Sequence, residues 1–352
     1  MPFPVQSYDL STLLERREEL IGEGLLMRKQ VDDFEMIKYP PTNKPQPGDQ
    51  RVMARSIILK NGNVVCMSPV RGTSIGYTEL AGAGPTLEEF VEGTMVNVFQ
   101  DPGTGKTMLA TRWYIGGNNK FFAESDRTFG EMFDDALSTT ALDISELPGN
   151  SSHSFVVKHP SNRIATAVSA PELWYIGSFE ISGSRTRYGR LPAIANVEGI
   201  RVPSVYDDEV DPSMGWTGFV GGERKKWRTA AYERIRGLRG NTANSMFRFL
   251  LTRQDGLVPE YLKEFPEDKE RFCDYEEKVQ HLVCLLTDLA LGEGSKQKIS
   301  SIRFELKPHV WELRHGEWDG SVSEYVDSLP AERLAFTLNH MTRSPEANQP
   351  SS

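Results

Sequence analysis

Met95-Val96-Asn97-Val98-Phe99-Gln100-Asp101-Pro102-Gly103-Thr104-Gly105-Lys106-Thr107-Met108-Leu109-Ala110-Thr111-Arg112-Trp113-Tyr114-Ile115 admits two opposed readings, and the choice between them sets the fold class. Taken alone, Pro102-Gly103-Thr104-Gly105-Lys106-Thr107 is the tail of a phosphate-cradling loop, in which backbone N–H groups and a helix N-terminus hold the phosphates. The full pattern needs a further Gly at the place of Gln100, and a helix after Lys106-Thr107. The flanks instead alternate on both sides of a short Pro/Gly/Asp turn, and Arg112-Trp113-Tyr114-Ile115-Gly116-Gly117 is poor helix material. Two β-rich runs around a tight turn predict a hairpin. The competing reading, a P-loop-like ATPase using Lys106 and Thr107, also lacks a later apolar run ending in Asp-Glu to supply the magnesium-side carboxylate.

Outward from this hairpin, the alternation continues. Ser56-Ile57-Ile58-Leu59 and Asn63-Val64-Val65-Cys66-Met67 flank Asn61-Gly62, a strong two-residue turn signal, and predict a second hairpin. Ser154–Ile164 and Leu173–Ile181 are strand-like, while Asp207–Gly222 is rich in Gly, Asp and Pro and reads as loops apart from a short Gly218-Phe219-Val220 strand. A helix is expected over residues 8–30, capped by Asp9 or Ser11, with Leu10, Leu13, Leu14, Leu20 and Ile21 as its stripe. Another is expected over Thr128–Leu142, with Phe129, Met132, Phe133, Ala136 and Leu137 on one face. From about Ala230 the texture turns helical: Tyr232–Leu238, Thr242–Arg253, Val258–Phe265, Asp268–Leu291 and Ala331–Met341. The expected organisation is an N-terminal helix and Pro-rich connector (1–50), a mixed body (51–230), a helical C-terminal domain (231–343) and a polar, disordered tail (344–352).

The 352 residues suffice for two cores. A net charge of −9 excludes a general nucleic-acid coat but leaves room for a local basic groove. No apolar run reaches membrane-spanning length, and Met1-Pro2-Phe3-Pro4 lacks the charged-then-apolar order of a secretory signal. Three scattered cysteines, Cys66, Cys273 and Cys284, suit neither a disulfide framework nor a metal knuckle; they are expected to be inert, in a reducing, intracellular compartment.

The order of elements is distinctive: Arg55-Ser56 opening a hairpin, the turn Ser68-Pro69-Val70-Arg71, then Phe90-Val91-Glu92-Gly93-Thr94-Met95 leading into the second hairpin. A helix precedes Ser154-Phe155-Val156-Val157-Lys158-His159-Pro160-Ser161-Asn162-Arg163-Ile164, and Leu173-Trp174-Tyr175-Ile176-Gly177, Gly218-Phe219-Val220 and the basic strand Arg224-Lys225-Lys226-Trp227-Arg228 follow. Across about residues 50–290 this resembles the bacteriophage T4-type RNA ligase family of covalent nucleotidyltransferases. That family has a Cys-Arg-Gly strand start, a Lys-x-Asp-Gly-Ser loop, a Pro-x-Asn-Arg-Ile strand end, a Glu-Gly-Tyr-Val strand and a Lys-x-Lys strand in the same order.

The resemblance implies an α+β fold, with an antiparallel-sheet nucleotidyltransferase (ligase-like) domain followed by a helical C-terminal domain. It also implies ATP and Mg2+ as cofactors, with nucleotides and RNA ends as partners. A Lys nucleophile would take AMP as a phosphoramidate, carboxylates would hold the metal, and basic residues would neutralise phosphates. Here the nucleophile position is Phe90, which cannot form that adduct; the following Asp is Glu92, and the Gly is Gly93. The strand Glu before Asn162 falls at Val156, and the Glu of the Glu-Gly-Tyr-Val strand falls at Thr217, with Glu198 as the alternative equivalent if the intervening loop is long. Glu92 is thus the candidate catalytic residue and Glu198 the candidate metal ligand. Arg55, Arg71, Gly93, Arg163, Lys225, Lys226 and Arg228 are the candidate nucleotide- and phosphate-binding set. Each has a plainer reading beside it. Glu92-Gly93 can be a solvated turn, Arg163 a surface ion pair, and residues 224–228 an edge strand defended by charge. Two functions therefore stand together: an RNA-ligase-like protein that seals strands or transfers nucleotides if active, or a lapsed pseudo-ligase that binds nucleic acid or plays a structural part.

Overall fold

The computed structural model describes residues 5–46, 48–81, 87–120, 126–206, 214–240, 242, 244–316 and 318–341. The chain divides into two compact units, Met1–Arg236 and Gly237–Ser352. The architecture is α+β, with antiparallel sheets in the first unit and helices in the second.

In the first unit the elements run β1 (Gln6–Asp9), α1 (Ser11–Glu15), α2 (Arg17–Gly22), β2 (Met27–Val31), β3 (Phe34–Lys38), β4 (Ile57–Lys60), β5 (Asn63–Met67), β6 (Thr73–Ser74), α3 (Tyr77–Ala81) and β7 (Leu87–Glu89). There follow β8 (Thr94–Gln100), β9 (Thr107–Ala110), α4 (Phe129–Leu137), β10 (Ser151–Lys158), β11 (Glu172–Ser182), β12 (Arg185–Gly189), α5 (Pro192–Ala195), β13 (Gly215–Val220) and β14 (Glu223–Arg228), and then α6 (Ala230–Arg239), whose last residues fall beyond Arg236. Three sheets result: β1-β12-β11-β10-β8-β9, β2-β3-β4-β5, and β6-β14-β13-β7. Among the paired strands of the described residues only the short β6–β14 pair is parallel; an isolated Trp174–Arg201 bridge is parallel too.

The deciding stretch is a hairpin. β8 pairs antiparallel with β9 from Asn97↔Ala110 to Gln100↔Thr107, and a strand, not a helix, follows Lys106. Asp101 builds the turn: its carboxylate accepts from the Gly103 N–H (3.0 Å) and the Thr104 hydroxyl (2.7 Å), and pairs with Lys60 of β4 at 2.5 Å. Lys60 first, then those two donors, pull the Asp101 carboxyl down to about 2. The β4–β5 turn also takes the expected form, Asn61 and Gly62 both having positive φ (50° and 78°) as a type I′ turn demands.

α4 starts with Thr128 and Glu131 in a reciprocal capping box and lays Phe129, Met132, Phe133 and Ala136 on Phe155, Val157, Leu173 and Tyr175 of the six-stranded sheet. The helix ends at Leu137, short of Leu142. Phe179 and Tyr188 join Leu10, Ile57, Leu59, Met67 and Phe219 in a second core.

Several expectations need correction. Residues 8–30 are not one helix: β1 pairs with β12, and β2 pairs with β3. Only the middle is helical, because Gly24 (φ +70°) turns the chain and Leu25 and Leu26 close back onto the Leu20 carbonyl. The stripe was real, and Leu10, Leu13 and Leu20 are buried by it. Of the loop expected over 207–222, residues 207–213 lie outside the described residues; the short strand expected at Gly218–Val220 is present, but it starts earlier, at Gly215, as β13. Its glycine has a packing reason: a Cβ on Gly215 (φ +138°) would lie 2.1 Å from the Trp227 carbonyl oxygen of β14. The strand expected to run to Ile164 stops at Lys158, where His159 accepts from the Ser161 N–H and starts a one-turn 3-10 helix over Pro160–Asn162. The tail expected over 344–352 lies outside the described residues.

The second unit carries α7 (Ser245–Gln254), α8 (Val258–Glu264), α9 (Lys269–Leu291), α10 (Lys307–His315), α11 (Val322–Ser328) and α12 (Ala331–Met341). α9 buries Phe272, Val279, Leu282, Leu286 and Leu289 on one face and leaves charged residues on the other. His309 is buried between the Tyr325 and Thr337 hydroxyls (3.0 and 2.9 Å); burial and the nearby Arg333 hold its pKa down at about 4, so it packs as a neutral ring.

Candidate functional site

Strand alternation sorts the basic strand β14 into two faces. Arg224, Lys226 and Arg228 point one way; Glu223, Lys225 and Trp227 point the other, where Trp227 packs with Trp216 and Leu87. Lys225 is held there by Glu223 at 2.6 Å. The Lys226 face is that of Phe219 and Thr217 on β13 and meets the core around Tyr188, whose ring lies 6.3 Å from Phe219.

Onto this face the chain brings residues from the front of the molecule. Tyr39 N–H bonds to the Ala54 carbonyl and Ser68 N–H to the Ser56 carbonyl, fixing Arg55 between two other segments. Arg55 then donates to the Pro69 carbonyl (3.3 Å) and Arg224 to the Val70 carbonyl (3.1 Å). One residue later comes Arg71, and Thr73 and Ser74 pair alongside Lys225 and Lys226. Arg55, Arg71, Arg224 and Lys226 thus converge across the turn 69–74. Burial, then Arg224 and to a lesser degree Arg112 and Arg71, together lower Arg55 to about 10 against an upward pull from Tyr39. Burial likewise lowers Lys226 to about 8, reinforced by Arg228, Arg71, Arg55 and Arg236. Repulsion of this kind has a physical meaning: these groups are held together by the backbone at a cost that an anion would remove.

The segment matching the nucleophile loop is built differently. Phe90 sits edge-on to Tyr232 (5.7 Å between ring centroids), with the Arg228 guanidinium 5.0 Å above its ring, and joins Ala165, Met214, Tyr232 and Ile235 in an apolar cluster. Arg228 also pairs with Glu233 at 2.5 Å. Glu92 is 4 % exposed; its carboxylate accepts from the Ala165 N–H (2.8 Å), the Thr166 N–H (2.9 Å) and the Thr166 hydroxyl (2.5 Å). Burial and the hydrogen-bonded Glu92 carboxylate hold the Tyr232 phenol well above its ordinary value. Arg163 turns back on the same loop, both Nε and Nη2 donating to the Ala165 carbonyl (3.3 and 3.2 Å). Asn162 ties its turn to β8 through the Thr94 hydroxyl (2.8 Å).

Gly93 has φ +144°, and a Cβ there would lie 2.5 Å from both Val156 Cγ1 and the Val157 carbonyl oxygen. Gly93→Ala is therefore expected to lower stability by about 1–3 kcal/mol from crowding alone, more with the backbone strain, read as a loss in urea midpoint at unchanged slope. An unchanged midpoint would show that the loop can lift off β10.

The sites for a divalent metal do not fit one. Val156, matched to the strand carboxylate, packs with Trp174 and Ile176, and the Thr217 hydroxyl donates to the Lys225 carbonyl at 3.0 Å. Glu198 is exposed on the turn after α5, its carbonyl accepting from Ala141 and its neighbour Gly199 against Thr139. Among the described residues no group of three or more His, Cys, Asp or Glu could hold a metal ion. Of the residues singled out in the sequence, the structure brings together Arg55, Arg71, Lys226 and, through Phe90, Arg228. Lys225, Glu198 and the inward-bonded Arg163 and Glu92 lie apart from that cluster's open side. Arg224 was passed over in the sequence although it alternates in step with Lys226; counting every second residue of the basic strand finds it.

Fold and site together define an α+β, antiparallel-sheet protein with a basic cluster between two sheets. No protein-family model matches the chain, and no curated protein does. Among solved structures it is similar to a chain from Aquifex aeolicus provisionally described as an ATP-dependent DNA ligase: 11 % identity and a TM-score of 0.42, over 81 % of this chain and 79 % of that one. It is also similar to an archaeal ATP-dependent RNA ligase: 12 % identity and a TM-score of 0.40, over 94 % of this chain and 79 % of that one. No helix among the described residues is long and apolar enough to cross a membrane.

Proposed function

We propose that the first unit is a nucleotidyltransferase-type domain of RNA-ligase kind that holds a nucleotide or a phosphorylated RNA end without capturing it covalently. One observation carries the reading. Arg55, Arg71, Arg224 and Lys226 are gathered on the inner face of a sheet, burial and then the neighbouring cations depress Lys226 to about 8, and among the described residues none of the four makes an ion pair with a carboxylate, Glu88 being felt by Arg224 while it pairs with Arg190. A bound phosphate supplies the missing counter-charge, and Arg donors meet it in paired geometry. The motif order Arg55, Glu92-Gly93, Asn162-Arg163 and Lys226 supports a ligase-type scaffold. ATP is accommodated here through its phosphates alone, since the metal carboxylates are replaced and an aromatic ring stands where the nucleophilic amine belongs. Cysteines that are all unpaired suit an intracellular setting.

The test separates binding from capture. Full-length protein incubated with α-labelled ATP and a divalent metal, then denatured, should carry no label, while equilibrium dialysis of the native protein against ADP or a 5′-phosphorylated oligoribonucleotide should show saturable binding. A denaturation-stable label would restore covalent chemistry through another lysine. Absence of any binding would remove the anion-site reading.

A further inference from the structure

A second basic cluster lies where the apolar strip of the β2-β3-β4-β5 sheet runs out. In β3, Phe34, Met36 and Lys38 share one face, and the register Lys29↔Met36 and Met27↔Lys38 puts Lys29 and Met27 of β2 on that same face. Phe34 and Met36 pack with Ile58, Cys66, Phe99 and Ala110. Past them the face ends in two lysines. They are met by the turn after β9, which the Thr111 N–H and Tyr114 carbonyl close at 2.8 Å, so that Arg112, Trp113 and Tyr114 project over the sheet end.

The pairing there is unusual. Lys29 Nζ stands 3.7 Å from the Tyr114 ring centroid and donates to the Trp113 carbonyl (3.2 Å), Lys38 Nζ stands 4.0 Å from the Trp113 ring, and the Arg112 guanidinium lies 5.3 Å from Tyr39. Three cations thus rest on three aromatic faces, and among the described residues none makes an ion pair with a carboxylate. On a chain with a net charge of −9 and 49 acidic residues, such a cluster is not a by-product of composition. Lys38 is only 8 % exposed, and burial followed by Arg112 and Lys29 lowers it to about 8. The cluster also adjoins the proposed phosphate site, because Arg112 lies on the Tyr39 ring and the Tyr39 N–H bonds to the carbonyl of Ala54, the residue before Arg55.

We infer that Lys29, Lys38, Arg112, Trp113 and Tyr114 form the path of a single-stranded nucleic acid whose phosphorylated end lies at Arg55, Arg71, Arg224 and Lys226. The inference rests on the anion-site reading above and extends it from an end group to several successive nucleotides. The chemistry selects this ligand: aromatic rings next to unpaired cations match a chain of flat bases joined by phosphates, whereas an acidic peptide would use the cations and leave the rings idle. Tyr114 is 46 % exposed, with Lys29 over its ring, and Trp113 is half-buried beside it.

Fluorescence anisotropy with a 5′-phosphorylated 12-mer oligouridylate, ADP as a short competitor and polyglutamate as a charge control reads the path directly. The 12-mer should bind more tightly than ADP and than polyglutamate. Arg112→Ala/Tyr114→Ala should lose roughly tenfold or more for the 12-mer and flatten its salt dependence by about one phosphate, with ADP affinity unchanged. Tyr114→Phe should keep most of the affinity, and circular dichroism melting of each variant identifies a folding defect. If ADP binds but the 12-mer binds no tighter, if the double variant loses nothing for the 12-mer, or if polyglutamate binds equally well, the path is wrong while the phosphate site stands. If neither ADP nor the 12-mer binds the unmodified protein, both readings fall together.

Discussion

Glu92→Ala is expected to be the most damaging single substitution in the first unit, and to act on stability rather than on a reaction. The carboxylate is 4 % exposed and accepts from two backbone N–H groups and one hydroxyl of the 165–166 loop. Its removal leaves the buried Ala165 amide without an acceptor, at about 1–3 kcal/mol, strips the half-buried Thr166 amide of its partner as well, and opens a cavity beside Tyr232. Against a total stability of about 5–15 kcal/mol this is a large fraction, and it corresponds to a fall in melting temperature on the order of 10 °C for a unit of this size. Glu92→Gln keeps one acceptor oxygen but turns an amide donor toward donors already there, so an intermediate loss is expected. Scanning calorimetry of full-length protein checks both. A Glu92→Ala protein melting within about 2 °C of the unmodified one, yet losing a metal-dependent activity, would assign the side chain to chemistry instead of to the loop.

That outcome bears on how much could be read from the chain. The hairpin over 95–110 was legible because alternation and a turn are local, and the Asn61-Gly62 hairpin for the same reason. The start of α4 at Thr128 was legible from the apolar face that follows it. β1 and β2 were illegible: Gln6–Asp9 and Met27–Val31 carry no strong alternation, and they are strands because β12 and β3, the latter close by and the former far along the chain, offer hydrogen-bonding edges. The end of β13, Gly218–Val220, was legible, but its start was hidden by Gly215, whose close approach to Trp227 is visible only once β14 lies beside it. The site divides the same way. Position in a motif singled out Glu92, but whether a carboxylate faces a metal or two amides depends on the 162–166 loop folding back. The convergence of Arg55 and Lys226, separated by most of the first unit, is set by the turn 69–74, whose backbone pairs with β14.

Lys226→Glu is expected to weaken binding of ADP or of a 5′-phosphorylated oligonucleotide by about 10- to 100-fold, the scale of one charge-assisted hydrogen bond lost and one repulsion gained. Lys226→Arg should retain most affinity, since it preserves charge. The unmodified protein has its own signature in pH. With Lys226 lowered to about 8 in the folded, unliganded protein, affinity for the anion falls as pH rises through that value, because the deprotonated amine offers no charge. Stability moves in the opposite direction. An unfolded chain keeps its lysine protonated up to about 10.4, so between about pH 8 and pH 10 the unfolded state binds more protons than the folded one, and the contribution of this residue to stability rises with pH. Bound anion reverses the bias by favouring the ammonium, so ligand binding near pH 8.5 should take up protons, measurable by calorimetry in buffers of different ionisation enthalpy. Proton uptake that persists unchanged in Lys226→Arg would place the titrating group elsewhere. Its disappearance in that variant, with affinity preserved, ties the anion to this lysine and to the repelling arginines that surround it.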